Sequence, residues 1–330
     1  MGEWVEQIGG ILLAGSLTAV GVLLPGLLAW KLAQRREVPL LPPARVWRFA
    51  GSGTDLLLGI MFIYAIPPLL LVQAGLSEWE VPVWAFPLQV VFYILFLKLL
   101  LTQAGASSSE PLRRVWPARL ALATGAWTLL APLVLGLNGL INWTYSQLGE
   151  EPEPHTLTQI DVSESRNALL LVVQSCVVAP WVEECLLRGL VLPWLLAART
   201  KRRRTLSQGA GSPLSARQRA WVMVGISLWP AWQCSHEKEA LVFLGLLALG
   251  LAVLQWGPIR HRRHGCAVYA SAVVFAMFHS FVWPSPIPLF VLGLGLGWLA
   301  VWTRGFFCSA LLHAFFNAVS TLYLLIYGSA

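Results

Sequence analysis

Ten apolar runs separated by short polar stretches pattern the chain from end to end. Eight are long: Gly9–Trp30, Leu56–Ala74, Val83–Leu101, Leu120–Ile141, Ala168–Ala198, Ala240–Trp256, Ala267–Trp283 and Phe306–Tyr327. A helix that crosses a bilayer needs about 20 predominantly apolar residues, with a range of roughly 17–25. Each long run is therefore expected to be a spanning helix. Two shorter runs, Ala220–Cys234 and Leu289–Trp302, fit short spans, tilted packing helices or re-entrant segments. The expected fold class is all-α, a polytopic membrane helical bundle of about 8–10 transmembrane helices. The Pro-containing loop Glu151–Pro154 separates an N-terminal membrane region of about four helices (residues 1–150) from the rest.

Composition sharpens this reading. Of the 330 residues, 57% are hydrophobic and 12% charged, and mean hydropathy is +0.66. Soluble domains carry about 25% charged residues, and disordered chains combine low hydrophobicity with high charge. Both classes are excluded. The net charge of +7 comes from loops that alternate in sign. Basic loops (Lys31–Arg48, Arg113–Arg119, Arg199–Arg219, Arg260–Arg263) follow acidic ones (Glu3 and Glu6, Glu78 and Glu80, Glu150–Glu164). Cytoplasmic loops collect Lys and Arg, so the basic loops are expected inside and both termini outside. Many Trp residues, among them Trp30, Trp84, Trp143, Trp283 and Trp302, lie near run ends, where indole favours the headgroup layer. No nucleic-acid-binding motif or aromatic-interleaved basic patch is present, so nucleic acid is not an expected partner; membrane lipid is.

Cys176, Cys185, Cys234, Cys266 and Cys308 are scattered and show no CxxC spacing. They read as reduced packing residues rather than a disulfide framework or metal cluster. The N-terminal MGEWVEQIGG has two acids and no base before its apolar run. A cleavable signal has a basic n-region, so the first run is expected to be a retained helix. Glu6 also breaks the myristoylation pattern.

Ionisable groups at membrane depth are costly and mark function or a partner. Three runs carry them. The string PWVEECLLRG holds Glu183, Glu184 and Arg188. Glu184 and Arg188, four apart, share a helix face and can neutralise each other. Glu183 lies about 100° from Glu184 and about 140° from Arg188 on a regular helix, which leaves it without a local counter-ion. Pro180 removes a backbone donor and is expected to kink the helix and open space beside the acid. A purely structural Glu–Arg lock accounts for Glu184 and Arg188, but not for Glu183. In VVFAMFHSFVW, Phe275 and His279 are one turn apart; in LLHAFFNAVS, so are His313 and Asn317. Taken singly, His279 fits a satisfied core histidine, and His313 with Asn317 fits a polar clamp between helices.

Together the set says more. A carboxylate and an imidazole can share a water and take its proton; an imidazole beside an amide can donate to a developing oxyanion. That is the equipment of amide hydrolysis. Two other readings compete. A transporter would use the acid and imidazoles as a proton path, with polar groups spread across the membrane depth and paired discontinuous half-repeats. A non-catalytic scaffold or immunity protein would keep the fold alone.

The three motifs resemble those of the CPBP intramembrane protease family (CAAX proteases and bacteriocin-processing proteins, or Abi family), which includes the type II CAAX prenyl endopeptidases. EECLLR fits EExxxR, Phe275–His279 fits FxxxH, and His313–Asn317 fits HxxxN. PLFVLGLGLGWLAVWTRGFFCSALLHAFFN resembles the Gly-rich helix and connection before the last motif. The resemblance covers roughly Ser165–Tyr327, with an insertion at about 200–265 that is long for the family. It implies an intramembrane endopeptidase in the inner (cytoplasmic) membrane of a bacterium, acting on a peptide or lipidated protein. Glu183 would activate water with help from His279, and His313 and Asn317 would form the oxyanion hole. Glu184, Arg188 and Phe275 would support the site. On cofactors the family is described both as metal-dependent and as using a glutamate-activated water. Asn317 is a poor zinc ligand and HExxH is absent, which favours the second. A divalent metal such as zinc stays open through Glu183, His279 and His313. His236 in WQCSH competes with His279, but Glu237 and Lys238 mark it as a solvated loop residue. Gly293 and Gly297 fit small-xxx-small helix packing.

Overall fold

The computed structural model describes residues 2–35, 53–76, 81–104, 112–149, 164–196, 218, 221–222, 224–225, 263–280 and 282–327. Among them there are helices and turns and no strand. We number the helices α1 (Gly2–Arg35), α2 (Gly53–Gln73), α3 (Val81–Ala104), α4 (Leu112–Gln147), α5 (Ser165–Leu196), α6 (Arg263–Met277), α7 (Pro286–Thr303) and α8 (Phe307–Tyr327). The fold is an all-α polytopic bundle. Among the described residues, five stretches are long and apolar enough to cross a membrane: Gly53–Gln73, Pro117–Gln147, Ser165–Leu196, Pro286–Thr303 and Phe307–Ile326. Gly9–Leu24, Trp84–Phe96 and His264–Met277 are shorter apolar helical stretches. The chain is an integral membrane protein. The run Ala240–Trp256, His236, Cys234, the Glu151–Pro154 loop and the basic loop Arg199–Arg217 lie outside the described residues, as does nearly all of Ala220–Cys234.

Large apolar side chains such as Leu13, Leu58, Leu69 and Leu169 stay exposed along these helices. In a bilayer that exposure is the favourable state, because only the backbone must be satisfied internally and lipid solvates the rest.

The chain divides into two compact units, each built from three segments. One comprises Met1–Arg45, Leu122–His155 and Ala220–Trp302; the other comprises Val46–Ala121, Thr156–Arg219 and Thr303–Ala330. In the first, α6 and α7 pack closely. A Cβ on Gly293 would stand 3.0 Å from the Cα of Ala272, and one on Gly297 would stand 3.0 Å from a Val268 methyl. The two glycines, four apart, clear the groove in which α6 lies, as the small-residue spacing indicates. In the second unit, α8 packs along α5, and α3 contacts both α2 and α5.

The uncertain run Leu289–Trp302 is an 18-residue helix of spanning length, entered through Pro286. Proline suits a first turn, where its missing N–H has no helical acceptor to serve. The run Ala267–Trp283, expected as one span, is shorter: α6 ends at Met277, and His279 sits in a turn beyond it. The backbone tightens there to three-residue bonds, with His279 N–H donating to Ala276 and Ser280 N–H to Met277. Pro284, Pro286 and Pro288 then forbid continuation. The string WPSPIP carried that stop signal.

Candidate active site

Proline shapes the helix that carries the acids. α5 alternates between α and π turns: π at Gln174–Val178, α at Ala179–Glu184, π again at Cys185–Val191. Each π segment ends two residues before a proline, Pro180 or Pro193. α2 repeats the arrangement, with π turns at Met61–Ala65 before Pro67. The cause is local. A proline cannot donate, and its ring crowds the preceding turn, so the helix widens and bonds to the fifth residue back. Ala179 N–H donates to Gln174 O and Leu192 N–H to Leu187 O.

The widened register frees one carbonyl. The five-back partner of Ser175 O would be the N–H of residue 180, which proline lacks. Asn317 of α8 takes its place: Asn317 Nδ2 donates to Ser175 O at 2.8 Å. One turn further along α8, Thr321 Oγ1 lies 2.7 Å from Ser175 Oγ, which itself donates to Leu171 O at 2.7 Å. Because that carbonyl only accepts, the Ser175 proton is committed to it, and Thr321 donates to Ser175. The expected kink at Pro180 is thus realised as a π turn clamped by two side chains of α8.

The acids follow this turn. Arg188 Nη1 donates to Glu184 Oε1 at 2.8 Å, with neither side chain exposed. The pair expected from the i,i+4 spacing forms even though the helix widens between its members. His313 brings Nδ1 to 3.3 Å from the same Glu184 oxygen and is itself buried. A buried ion pair must recover the desolvation of both charges, so extra contacts of this kind are part of its support. Glu183 is half-buried, and its Oε2 is enclosed without a hydrogen-bond partner among the described residues. Of the seven motif residues, then, Glu183, Glu184, Arg188, His313 and Asn317 belong to one unit; Phe275 and His279 belong to the other.

In that other unit Phe275 is fully buried. His279 stacks edgewise on its ring, with centroids 5.2 Å apart, and places Nδ1 3.0 Å from the Phe275 carbonyl oxygen. A carbonyl only accepts, so Nδ1 carries the proton. Phe275 therefore holds His279 twice, by ring and by backbone. Nearby in sequence, the Trp283 indole donates to the Tyr145 hydroxyl.

Several positioning residues carry no motif. Tyr64 of α2 donates its hydroxyl to Val182 O at 3.0 Å, the carbonyl just before Glu183. Trp181 meets Phe86, Phe306 and Phe307 edge to face, at 6.3, 5.2 and 6.4 Å between centroids. Tyr93 packs on Gly189, where a Cβ would come 2.5 Å from its hydroxyl oxygen. Only the isolated aromatics and polars of otherwise aliphatic runs hint at them. Cys176, Cys185, Cys266 and Cys308 are free thiols. Among the described residues, no group of three His, Cys, Asp or Glu side chains is placed to hold a metal ion.

Comparison with protein families gives one match: residues 165–319 fit the model described as "Type II CAAX prenyl endopeptidase Rce1-like". Over those residues the chain is similar to the CAAX protease family. They make up just under half of it, and all seven motif residues fall inside the match. The family is one of CAAX protease-type intramembrane endopeptidases. No curated protein and no solved structure matches the chain.

Proposed function

We propose that the protein is an intramembrane endopeptidase that hydrolyses a peptide bond with a water activated by Glu183. The observation that carries this reading is the asymmetry of the adjacent acids. Among the described residues Glu184 is paired with Arg188 at 2.8 Å, whereas Glu183, with an enclosed oxygen of its own, makes no such pair. A carboxylate so placed can take a proton from a water beside it. In the proposed reaction Glu183 takes one proton from water while the water oxygen bonds to the substrate carbonyl carbon. The carbonyl π electrons move to oxygen, and the resulting oxyanion is met by N–H donors of His313 and Asn317. Asn317 spends one amide hydrogen on Ser175 O, which leaves its second for this purpose. Collapse re-forms the carbonyl and breaks the C–N bond, and Glu183 returns its proton to the leaving amine.

Glu184 serves here as support. Its Oε1 lies 3.3 Å from His313 Nδ1 and holds the ring by that nitrogen, with Nε2 left for the oxyanion. The proposed substrate is a prenylated C-terminal peptide of the CAAX type, the class in the matched family's description, and the proposed location is the bacterial inner membrane. The test is to reconstitute the full chain in vesicles with farnesylated and unfarnesylated CAAX peptides and to follow the released C-terminal fragment by mass spectrometry. Release from the farnesylated peptide supports the reading. Absence of release from either peptide, with the helical protein intact by circular dichroism, counts against it.

A further inference from the structure

The reacting groups proposed above lie on α5 and α8, yet α2 reaches the peptide unit that carries Glu183. The Tyr64 hydroxyl donates to Val182 O at 3.0 Å. The same carbonyl also receives the N–H of Cys185, three residues on, which it shares with Trp181 O. It sits where α5 changes register, with α turns over Ala179–Glu184 and π turns over Cys185–Val191. A carbonyl oxygen has two lone pairs, so one shared N–H at such a junction leaves room for a second donor.

α2 is placed to supply that donor. A Cβ on Gly53 would stand 3.5 Å from the Trp194 ring, and Gly53–Ile60 contacts Cys185–Val191. α2 therefore lies antiparallel on α5 between Trp194 and Val182. Tyr64 itself falls in the π turn Met61–Ala65, which Ile66 N–H closes on Met61 O just ahead of Pro67.

The consequence for the acid follows from the planarity of the peptide bond. The Val182 carbonyl, the Glu183 nitrogen and the Glu183 Cα lie in one plane and tilt together. A donor fixed on Val182 O therefore sets the tilt of the plane that ends on the Glu183 Cα, and with it the direction in which that side chain leaves the helix. We infer that Tyr64 is a positioning residue for Glu183, a donor from outside the matched residues 165–319 that aims the base. A base must lie within hydrogen-bond reach of the proton it takes, and a small misplacement is costly in rate. The effect on rate rests on the endopeptidase reading above; the effect on the direction of Glu183 does not.

The test is Tyr64→Phe in the full chain in vesicles, which keeps the ring and removes the hydroxyl. The first readout is an infrared difference spectrum, with the Glu183 carboxylate band assigned by its loss in Glu183→Gln. The band is expected to shift in Tyr64→Phe, because a redirected carboxylate meets different neighbours. An unchanged band overturns the inference. The second readout is cleavage of the farnesylated peptide: kcat is expected to fall about tenfold with KM unchanged. In the Glu183→Gln background Tyr64→Phe should add little to the loss, since no base is left to aim. An unchanged kcat, losses that multiply, or a variant that loses its helical signal would make Tyr64 a packing or separate residue and overturn the inference. A shifted band in a protein that cleaves nothing upholds it and contradicts the endopeptidase reading instead.

Discussion

The side-chain amide of Asn317 stands in for the backbone N–H that Pro180 cannot supply to Ser175, at 2.8 Å. Two residues 142 apart in sequence are thereby joined by a defect in a helix. Asn317→Ala should leave the Ser175 carbonyl unsatisfied and cost about 1–3 kcal/mol, seen as a lower thermal midpoint in detergent. Pro180→Ala restores a backbone donor. In that background Asn317→Ala should cost measurably less stability, a coupling that a double-mutant cycle resolves. If the two costs simply add, the substitution account of Asn317 is wrong. Cleavage should stay impaired in the double variant, because a restored helix bond does not replace an oxyanion donor.

The Glu184–Arg188 pair makes a different prediction. With both side chains fully buried, removing one partner strands the other charge at a cost of about 3–5 kcal/mol. Arg188→Met alone should therefore reduce folded protein sharply. Arg188→Met with Glu184→Leu should recover much of the loss in yield and midpoint, since an apolar pair of similar volume is often neutral. Recovery of fold without recovery of cleavage would assign the pair to holding His313. No recovery of fold would contradict the ion-pair account.

Glycine offers a paired test of helix packing. A Cβ at Gly293 meets the Ala272 backbone at 3.0 Å, whereas one at Gly125 meets nothing within 4 Å. Gly293→Leu should destabilise by about 1–3 kcal/mol through overpacking. Gly125→Ala should be stabilising by up to about 1 kcal/mol, from helix propensity alone. Thermal midpoints of the two variants decide it, and equal effects would refute close packing of α6 and α7.

Much of this architecture can be read from the chain directly, and the failures have identifiable causes. The apolar runs announce the helices because a bilayer demands about 20 such residues in a row. The Glu184–Arg188 bond and the distinct state of Glu183 follow from local spacing, which survives a change of helical pitch over four residues. The place of His279 in a turn was masked by the apolar Phe281–Trp283 that follows it; the prolines after Trp283 outweigh hydropathy. The π turns of α5 are encoded by Pro180 and Pro193, yet their consequence, a carbonyl offered to Asn317, depends on another helix arriving there. Tyr64 and Tyr93 show only as isolated aromatics in aliphatic runs, because their role exists through contacts with α5 about a hundred residues away.

The most direct measurement is the cleavage rate of Glu183→Gln against the native chain, in the same vesicles and with the same farnesylated peptide. Glutamine keeps the shape and the enclosed oxygen but cannot take a proton from water. The rate should fall by at least about a hundredfold, the lower end of what a general base contributes, while the thermal midpoint and helical signal stay unchanged. A folded Glu183→Gln protein that cleaves at the native rate would contradict the account.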